Sequence, residues 1–210
     1  MLVPELTLSD PAAAAKVLTT FGFAPDGDVW RQGSQSLRLA QGQCGGHGRI
    51  DHIALSVPDM DTALARLTKE GVALDTGVTP NGAELIPEFW EDGLRFVYLA
   101  GPETARIELC QRVTGPAAEV GHDHIGIPCT DLAAMQAFFQ GHGARLITSV
   151  DLSRPEGTVP VRFLAFESGV IELYQPKTAP RAAHGLWSRL LVAGLSAPVH
   201  GPEDLILAPL

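Results

Sequence analysis

Two observations predict an α+β protein built from a duplicated β-α-β-β-β unit, with a partial third unit at its N-terminus. The stretch R-I-E-L-C-Q-R at 106–112 returns as V-I-E-L-Y-Q-P at 170–176, and R-I-D-H-I-A-L-S-V-P-D-M from Arg49 returns as G-H-D-H-I-G-I-P-C-T-D-L from Gly121. The histidines of D-H-I stand 72 residues apart and the glutamates of I-E-L stand 64 apart, so the copies differ only in loop length. Self-similarity on this scale marks a repeated supersecondary unit.

The elements follow in chain order. Glu5 to Ser9 reads as a strand; Asp10, with Pro11 at the first helical position, opens a helix closed at Gly22, and Ser36 to Gln41 is a last strand. This partial module spans 1–44, and the glycine-rich joint Cys44 to Gly48 follows it. The first full module, 49–112, begins with the alternating, β-branched run Ile50 to Val57. Asp59 then serves as an N-cap, and Met60, Ala63, Leu64 and Leu67 form an apolar stripe ended by Gly71. A strand is expected at Val72 to Thr79, and strands at Leu94 to Leu99 and Arg106 to Gln111 flank the turn A-G-P-E-T.

The second full module, 121–176, repeats that order. A strand at 123–128 precedes a helix from Asp131 to Gln140 ended by Gly141, and strands near 144–150, 160–166 and 169–175 follow, the last two joined by the tight turn E-S-G. The tail, 177–210, offers Leu190 to Leu195 and Asp204 to Leu207 as short apolar segments without an assigned place.

Composition narrows the function classes. With 210 residues, 45% hydrophobic and 19% charged, the chain can bury a substantial core and has no disorder signature. A net charge of −9 with no basic cluster argues against a nucleic-acid partner. No apolar run approaches the roughly 18 residues of a membrane span, and no signal-peptide pattern opens the chain, so no membrane partner is expected and the cytoplasm is the default address. Cys44, Cys110 and Cys129 lack C-x-x-C spacing and suggest neither a disulfide framework nor a structural zinc site.

Residues two apart on a strand share a face. Ile107, Leu109, Ile171 and Leu173 then point one way, while Glu108, Cys110, Glu172 and Tyr174 point the other, with His52 and His124 in the matching set on the first strands. If the repeats pair symmetrically, His52, Glu108, His124 and Glu172 converge. Converging carboxylates repel, and a divalent cation offsets that cost. Nitrogen and oxygen donors suit Zn, Ni, Co, Mn or Fe(II), with positions left for a chelating substrate. His122 reads as a solvated strand-start histidine, with a neighbouring group or alternative ligand as the other option; His47, His142, His184 and His200 are expected at the surface, and Cys110 is expected to pack in the pocket. Arg95, Arg162 and Tyr174 are candidates to face a substrate carboxylate, with salt-bridged or solvated roles as the other option. No G-x-G-x-x-G, Walker A or G-x-S-x-G motif occurs.

This arrangement resembles the vicinal oxygen chelate superfamily, the bleomycin resistance protein/dioxygenase group that also contains glyoxalase I and methylmalonyl-CoA epimerase. The resemblance covers about residues 49–176 and rests on D-H-I-A-L with R-I-E-L-C-Q and D-H-I-G-I with V-I-E-L-Y-Q. It implies paired β-α-β-β-β modules forming a cupped mixed sheet around one metal, held by His52, Glu108, His124 and Glu172. That ligand order is similar to glyoxalase I and near the epimerase pattern, which implies a lyase or isomerase moving a proton next to a carbonyl of a small substrate through a metal-stabilised enediolate. Glu172 is then the base, and Glu108 serves the opposite face. An Fe(II) extradiol-type dioxygenase and a metal-free binding protein of the bleomycin resistance type are the alternatives, and a homodimer is one arrangement the resemblance allows. Glu5 aligns with His52 and Arg38 with Glu108, so the N-terminal module supplies no metal half-site.

Overall fold

The computed structural model describes residues 1–43, 46–155, 157–177 and 184–210; Cys44 and Gly45 of the joint lie outside them. The N-terminal segment forms β1 (Leu2–Leu8), α1 (Pro11–Phe21), β2 (Ala24–Asp26), β3 (Val29–Gln32) and β4 (Gln35–Gln41). The first full unit gives β5 (His52–Ser56), α2 (Met60–Lys69), β6 (Glu84–Ile86), β7 (Leu94–Ala100) and β8 (Arg106–Arg112). The second gives β9 (Gly121–Pro128), α3 (Leu132–Gly141), β10 (Arg145–Arg154), β11 (Gly157–Phe166) and β12 (Gly169–Tyr174), and the tail adds β13 (Trp187–Val192), β14 (Val199–His200) and β15 (Ile206–Pro209).

All three helices start in the same way. Asp10, Asp59 and Asp131 accept from the backbone N–H three residues ahead, satisfying a donor that the first turn leaves unpaired. Gly22, at φ 100°, closes α1 in the left-handed conformation. In α2 the stripe reads as expected, with Met60 and Leu67 buried and Ala63 and Leu64 packed beside them.

Among the described residues the strands form two sheets: eight strands in the order β10-β11-β12-β9-β5-β8-β7-β6, and seven in the order β14-β15-β13-β1-β4-β3-β2. In each sheet the first strand of a unit runs parallel to its last, as in β5 with β8, β9 with β12 and β1 with β4, while neighbouring first strands pair antiparallel, β5 with β9 and β1 with β13. The tail obeys the same rule, since β13 runs parallel to β15. Among the described residues it is a shortened fourth unit without an α-helix, and it completes the N-terminal sheet. The apolar faces of both sheets and the helices share one core, from Leu6, Leu18 and Leu37 through Ile53, Ile107, Ile125 and Ile171 to Leu190 and Leu207.

Two expectations are corrected. Residues 72–79 form no strand: Asp75 turns the chain, its carbonyl accepting from Val78 and Thr79 and its side chain from Gly77, and the segment meets β7 through an isolated Leu74–Leu99 bridge and the Thr79 hydroxyl, which accepts from Tyr98 N–H. The short strand before β7 is β6 instead. The alignment of Glu5 with His52 is two residues out. The register sets Glu5 against Arg38 as it sets Ala54 against Glu108, so Val3 takes the place of His52 while Arg38 keeps that of Glu108. Helix spacing agrees, because His52, His124 and Val3 each stand seven residues before an N-cap aspartate.

A second repeat ties the sheets together. G-P-E occurs at 101–103 and 201–203, each time as a tight 3-10 turn whose glutamate has positive φ, 48° at Glu103 and 55° at Glu203. The Glu103 carboxylate accepts from Ser9 and Asp10 at the start of α1, and Glu203 accepts from Thr130 and Asp131 at the start of α3, so a turn in each sheet caps a helix of the other. Glu203 also lies 2.7 Å from the guanidinium of Arg49, which is fully buried and donates to the Pro128 carbonyl. Removing one partner of a buried pair leaves a desolvated charge. Glu203→Ala is expected to cost about 3 kcal/mol in urea unfolding, and Glu103→Ala, at the exposed copy, less.

Candidate metal centre

Strand alternation sorts the repeated residues as the sequence implies: Ile107, Leu109, Ile171 and Leu173 enter the core, while Glu108 and Glu172 face the other side of the eight-stranded sheet. There the sheet curves around a cavity of about 630 Å³. Antiparallel pairing of β5 and β9 brings the histidines in, with His52 opposite Gly126 and Ala54 opposite His124 around the central pair Ile53–Ile125. A small residue therefore stands across from each imidazole. At position 126 the need is strict, because an added Cβ would sit on the His52 ring.

All four residues converge within one chain. His52 Nε2 lies 3.2 Å from His124 Nε2, and Glu108 Oε2 lies 3.1 Å from His52 Nε2 and 3.2 Å from His124 Nε2. Glu172 Oε2 is farther out, 3.7 Å from His52 Nε2 and 3.4 Å from His124 Nε2. Each of the four is at most 7% exposed. Glu108 Oε2 is buried with no hydrogen bond, so its contacts with the imidazoles are electrostatic and not aligned along an N–H.

The neighbouring residue orients each ring. His52 Nδ1 lies 2.9 Å from Asp51 and His124 Nδ1 lies 2.8 Å from Asp123, which leaves both Nε2 atoms aimed at the shared centre. Adjacent strand residues ordinarily face apart; Asp51 escapes by preceding β5, and Asp123 by a bulge in the β5–β9 register. Arg106 ties down Asp51 at 2.7 Å and Asp75 at 2.7 Å. The repeated Asp of D-H-I is visible in the sequence, but its role depends on these two local irregularities.

Electrostatics shows what the centre lacks. Burial disfavours a charged His52, yet the Asp51 and Glu108 carboxylates outweigh it and raise the imidazole to about 9. Burial likewise opposes the Glu108 anion, and the close imidazoles of His124 and His52 hold it down to about 2. His124 is raised against its burial, chiefly by Glu172. Without a cation, imidazole protons must balance the carboxylates while two Nε2 atoms face each other. A divalent ion supplies that balance with neutral imidazoles, and the donor set fits one: atoms about 2.1 Å from a common centre stand roughly 3.0–3.4 Å apart, close to the observed edges. The ligand atoms of His52, His124 and Glu172 all lie within 4.8 Å of one another.

No sequence-family model matches this chain, and no curated protein matches it either. Solved structures do. Glyoxalase I from Zea mays superposes at a TM-score of 0.69 with 13% identity, covering 100% of this chain and 92% of that one. The chain has the vicinal oxygen chelate fold. A mutant of 4-hydroxymandelate synthase from Streptomyces coelicolor shares it at a TM-score of 0.50 and 13% identity, over 88% of this chain and 71% of that one. Within this glyoxalase-like fold the full length of the chain is matched, including the N-terminal segment and the tail that together make the second sheet.

Other candidates fall outside the cavity. His122 is drawn away by the same bulge: Nδ1 lies 2.7 Å from Gln35 Oε1 and Nε2 accepts from Val170 N–H, so it bridges the two sheets instead of being solvated or joining the ligands. Burial, then the charge of His124, lowers it to about 4. Arg95 pairs with Asp61, and Arg162 donates to the Val161 carbonyl beside Asp151; both sit on the opposite strand parity. Tyr174 does line the cavity. His142, His184 and His200 are exposed, and His47 is half-buried. Sequence reasoning missed Tyr98 and Phe96, which alternate on β7 in register with Glu108 and Cys110 and form the wall. Among the described residues no helix is long and apolar enough to cross a membrane.

Orienting partners of this kind are worth roughly 10–100-fold in metal affinity. Asp51→Asn and Asp123→Asn are each expected to weaken Zn2+ binding by about that factor in isothermal titration. Gly126→Ala, which displaces His52 itself, is expected to weaken it at least as much, with the circular dichroism of the wild type retained.

Proposed function

We propose that this protein is a metal-dependent lyase or isomerase that moves a proton next to a carbonyl of a small substrate. One observation carries the reading: two histidines and two glutamates from duplicated strands converge, buried, around a point where Glu108 Oε2 has no hydrogen-bond partner. His52, His124, Glu108 and Glu172 are the residues that would hold a divalent ion, of the Zn, Ni, Co, Mn or Fe class. Such an ion, when bound, polarises substrate oxygens and stabilises the charge left by a departing proton.

The chain's own groups divide the remaining work. A carboxylate gripped by a cation is a poor base, so the more loosely set glutamate is the better candidate. Glu172 is that residue: its distances to the imidazoles are the longest of the set, and it is 7% exposed against 3% for Glu108. Glu108 stands on the other side of the centre and would serve the opposite face of the substrate. The Tyr98 hydroxyl, 3.5 Å from His52 Nδ1, stays protonated because burial and then the Glu108 charge disfavour its anion, so it can donate a hydrogen bond.

The cavity wall selects the rest of the substrate. Ile86, Phe89, Phe96 and Val161 form an apolar part of the wall against which an apolar group of the substrate would pack. Arg106 in the wall is committed to Asp51 and Asp75.

A second reading is favoured by one feature. His52, His124 and Glu172 form a two-histidine, one-carboxylate triad without Glu108, the donor set of Fe(II) oxygenases. Elemental analysis of tag-free protein separates the possibilities. About one transition metal per chain, lost in both His52→Ala and Glu108→Ala, supports the four-ligand enzyme; metal kept in Glu108→Ala, with oxygen uptake on catechols after anaerobic Fe(II) loading, supports the dioxygenase. No metal after loading leaves a binding protein. In the four-ligand case Glu172→Gln is expected to lower kcat by 10²-fold or more, roughly the range of a lost general base, in assays of carbonyl isomerisation; unchanged turnover removes Glu172 from the role of base.

A further inference from the structure

We propose that the centre contains a second, overlapping donor set, Glu108, Cys110 and His124, which captures a thiophilic divalent cation in place of the ion held by His52, Glu108, His124 and Glu172. The inference rests on the metal reading above and adds a means of regulating that same site.

The strand register brings the three donors together. Cys110 follows Glu108 by two residues on β8 and shares its face, with Phe96 opposite it on β7 and Ser56 on β5. Its sulfur, a Glu108 carboxylate oxygen and a His124 nitrogen all lie within 4.8 Å of one another. The thiol is 1% exposed. It does not stand alone, because Glu108 on the same strand face keeps a buried carboxylate oxygen, Oε2, without a hydrogen-bond partner.

The two sets differ in chemistry. His52, Glu108, His124 and Glu172 offer nitrogen and oxygen, suited to borderline ions, whereas Cys110 adds a soft sulfur that favours thiophilic ones. Glu108 and His124 belong to both sets, so one ion excludes the other. Capture of Cd2+ breaks the Cys110 S–H bond, forms a sulfur–metal bond and releases one proton to solvent, with no electron transferred. It also withdraws Glu108 and His124 from the working set, so a thiophilic ion acts as an inhibitor.

Cys129 provides an internal contrast. It is also buried, but its sulfur lies 3.4 Å from the Tyr174 carbonyl, outside either donor set. The test therefore uses the full chain with Cys44→Ser and Cys129→Ala, leaving Cys110 as the thiol, compared with the same background carrying Cys110→Ser or, should serine perturb folding, Cys110→Ala.

Each protein is loaded with Co2+, read by its visible d–d bands, and titrated with Cd2+, read by near-ultraviolet thiolate-to-cadmium absorption. The expected result is that Cd2+ displaces Co2+ as the thiolate band grows in the Cys110 protein. Both Cys110 variants should bind Co2+, lose the thiolate band and need Cd2+ concentrations more than tenfold higher, since losing a direct ligand should exceed the roughly 10–100-fold carried by outer partners. Displacement without a thiolate band, or with equal Cd2+ affinity in all proteins, overturns the second donor set and leaves the first intact. Failure of every protein to bind Co2+ overturns the metal reading itself.

Discussion

Everything at the centre depends on the antiparallel pairing of β5 with β9. Because the two strands carry the same D-H-I sequence and meet at Ile53–Ile125, each histidine emerges one residue from the centre of near-twofold symmetry, and the two Nε2 atoms come within 3.2 Å. The parallel pairings of β5 with β8 and β9 with β12 then deliver Glu108 and Glu172 from the same two units. A one-residue slip in any of these ladders would turn one of the four side chains into the core. The apolar alternation that buries Ile53, Ile107, Ile125 and Ile171 is thus also what holds the two histidines and two glutamates in place.

The rest of the molecule braces that sheet. The second sheet has the same pairing rules but none of the chemistry, with Val3, Arg38, Arg189 and Ala208 where the first has His52, Glu108, His124 and Glu172. Val3, Leu191 and Ala208 pack together, and the buried Glu5 is matched by Arg189 at 2.6 Å, so the equivalent position is filled by an apolar cluster and an ion pair. Glu103 and Glu203 then lock the sheets reciprocally through helix starts, and His122 adds a bridge from β9 to Gln35 of the second sheet. Buried Arg49, three residues before β5 begins at His52, links this bracing to the strand that carries His52.

Several features are legible in the sequence because they are local or periodic. The three aspartate caps, the glycine stop of α1 and the alternating strands follow from nearest-neighbour hydrogen bonding and side-chain parity. Duplication makes convergence of His52, Glu108, His124 and Glu172 deducible, since equal units that pair symmetrically must bring equal residues together. The fourth unit stays hidden because its described residues include no α-helix and no repeated chemistry, although the recurrence of G-P-E at 101 and 201 is present in the sequence.

By itself, then, the sequence determined the α+β class, the repeated unit, the helix caps and the four residues that meet, because each depends on short-range geometry written twice. Only the tertiary structure decided that the tail closes the N-terminal sheet, that residues 72–79 turn rather than pair, that Asp51 and Asp123 orient the imidazoles while His122 turns away, and that Cys110 joins Glu108 and His124. Those outcomes depend on strand register, one bulge and contacts between distant segments, which parity and propensity along a single strand do not specify.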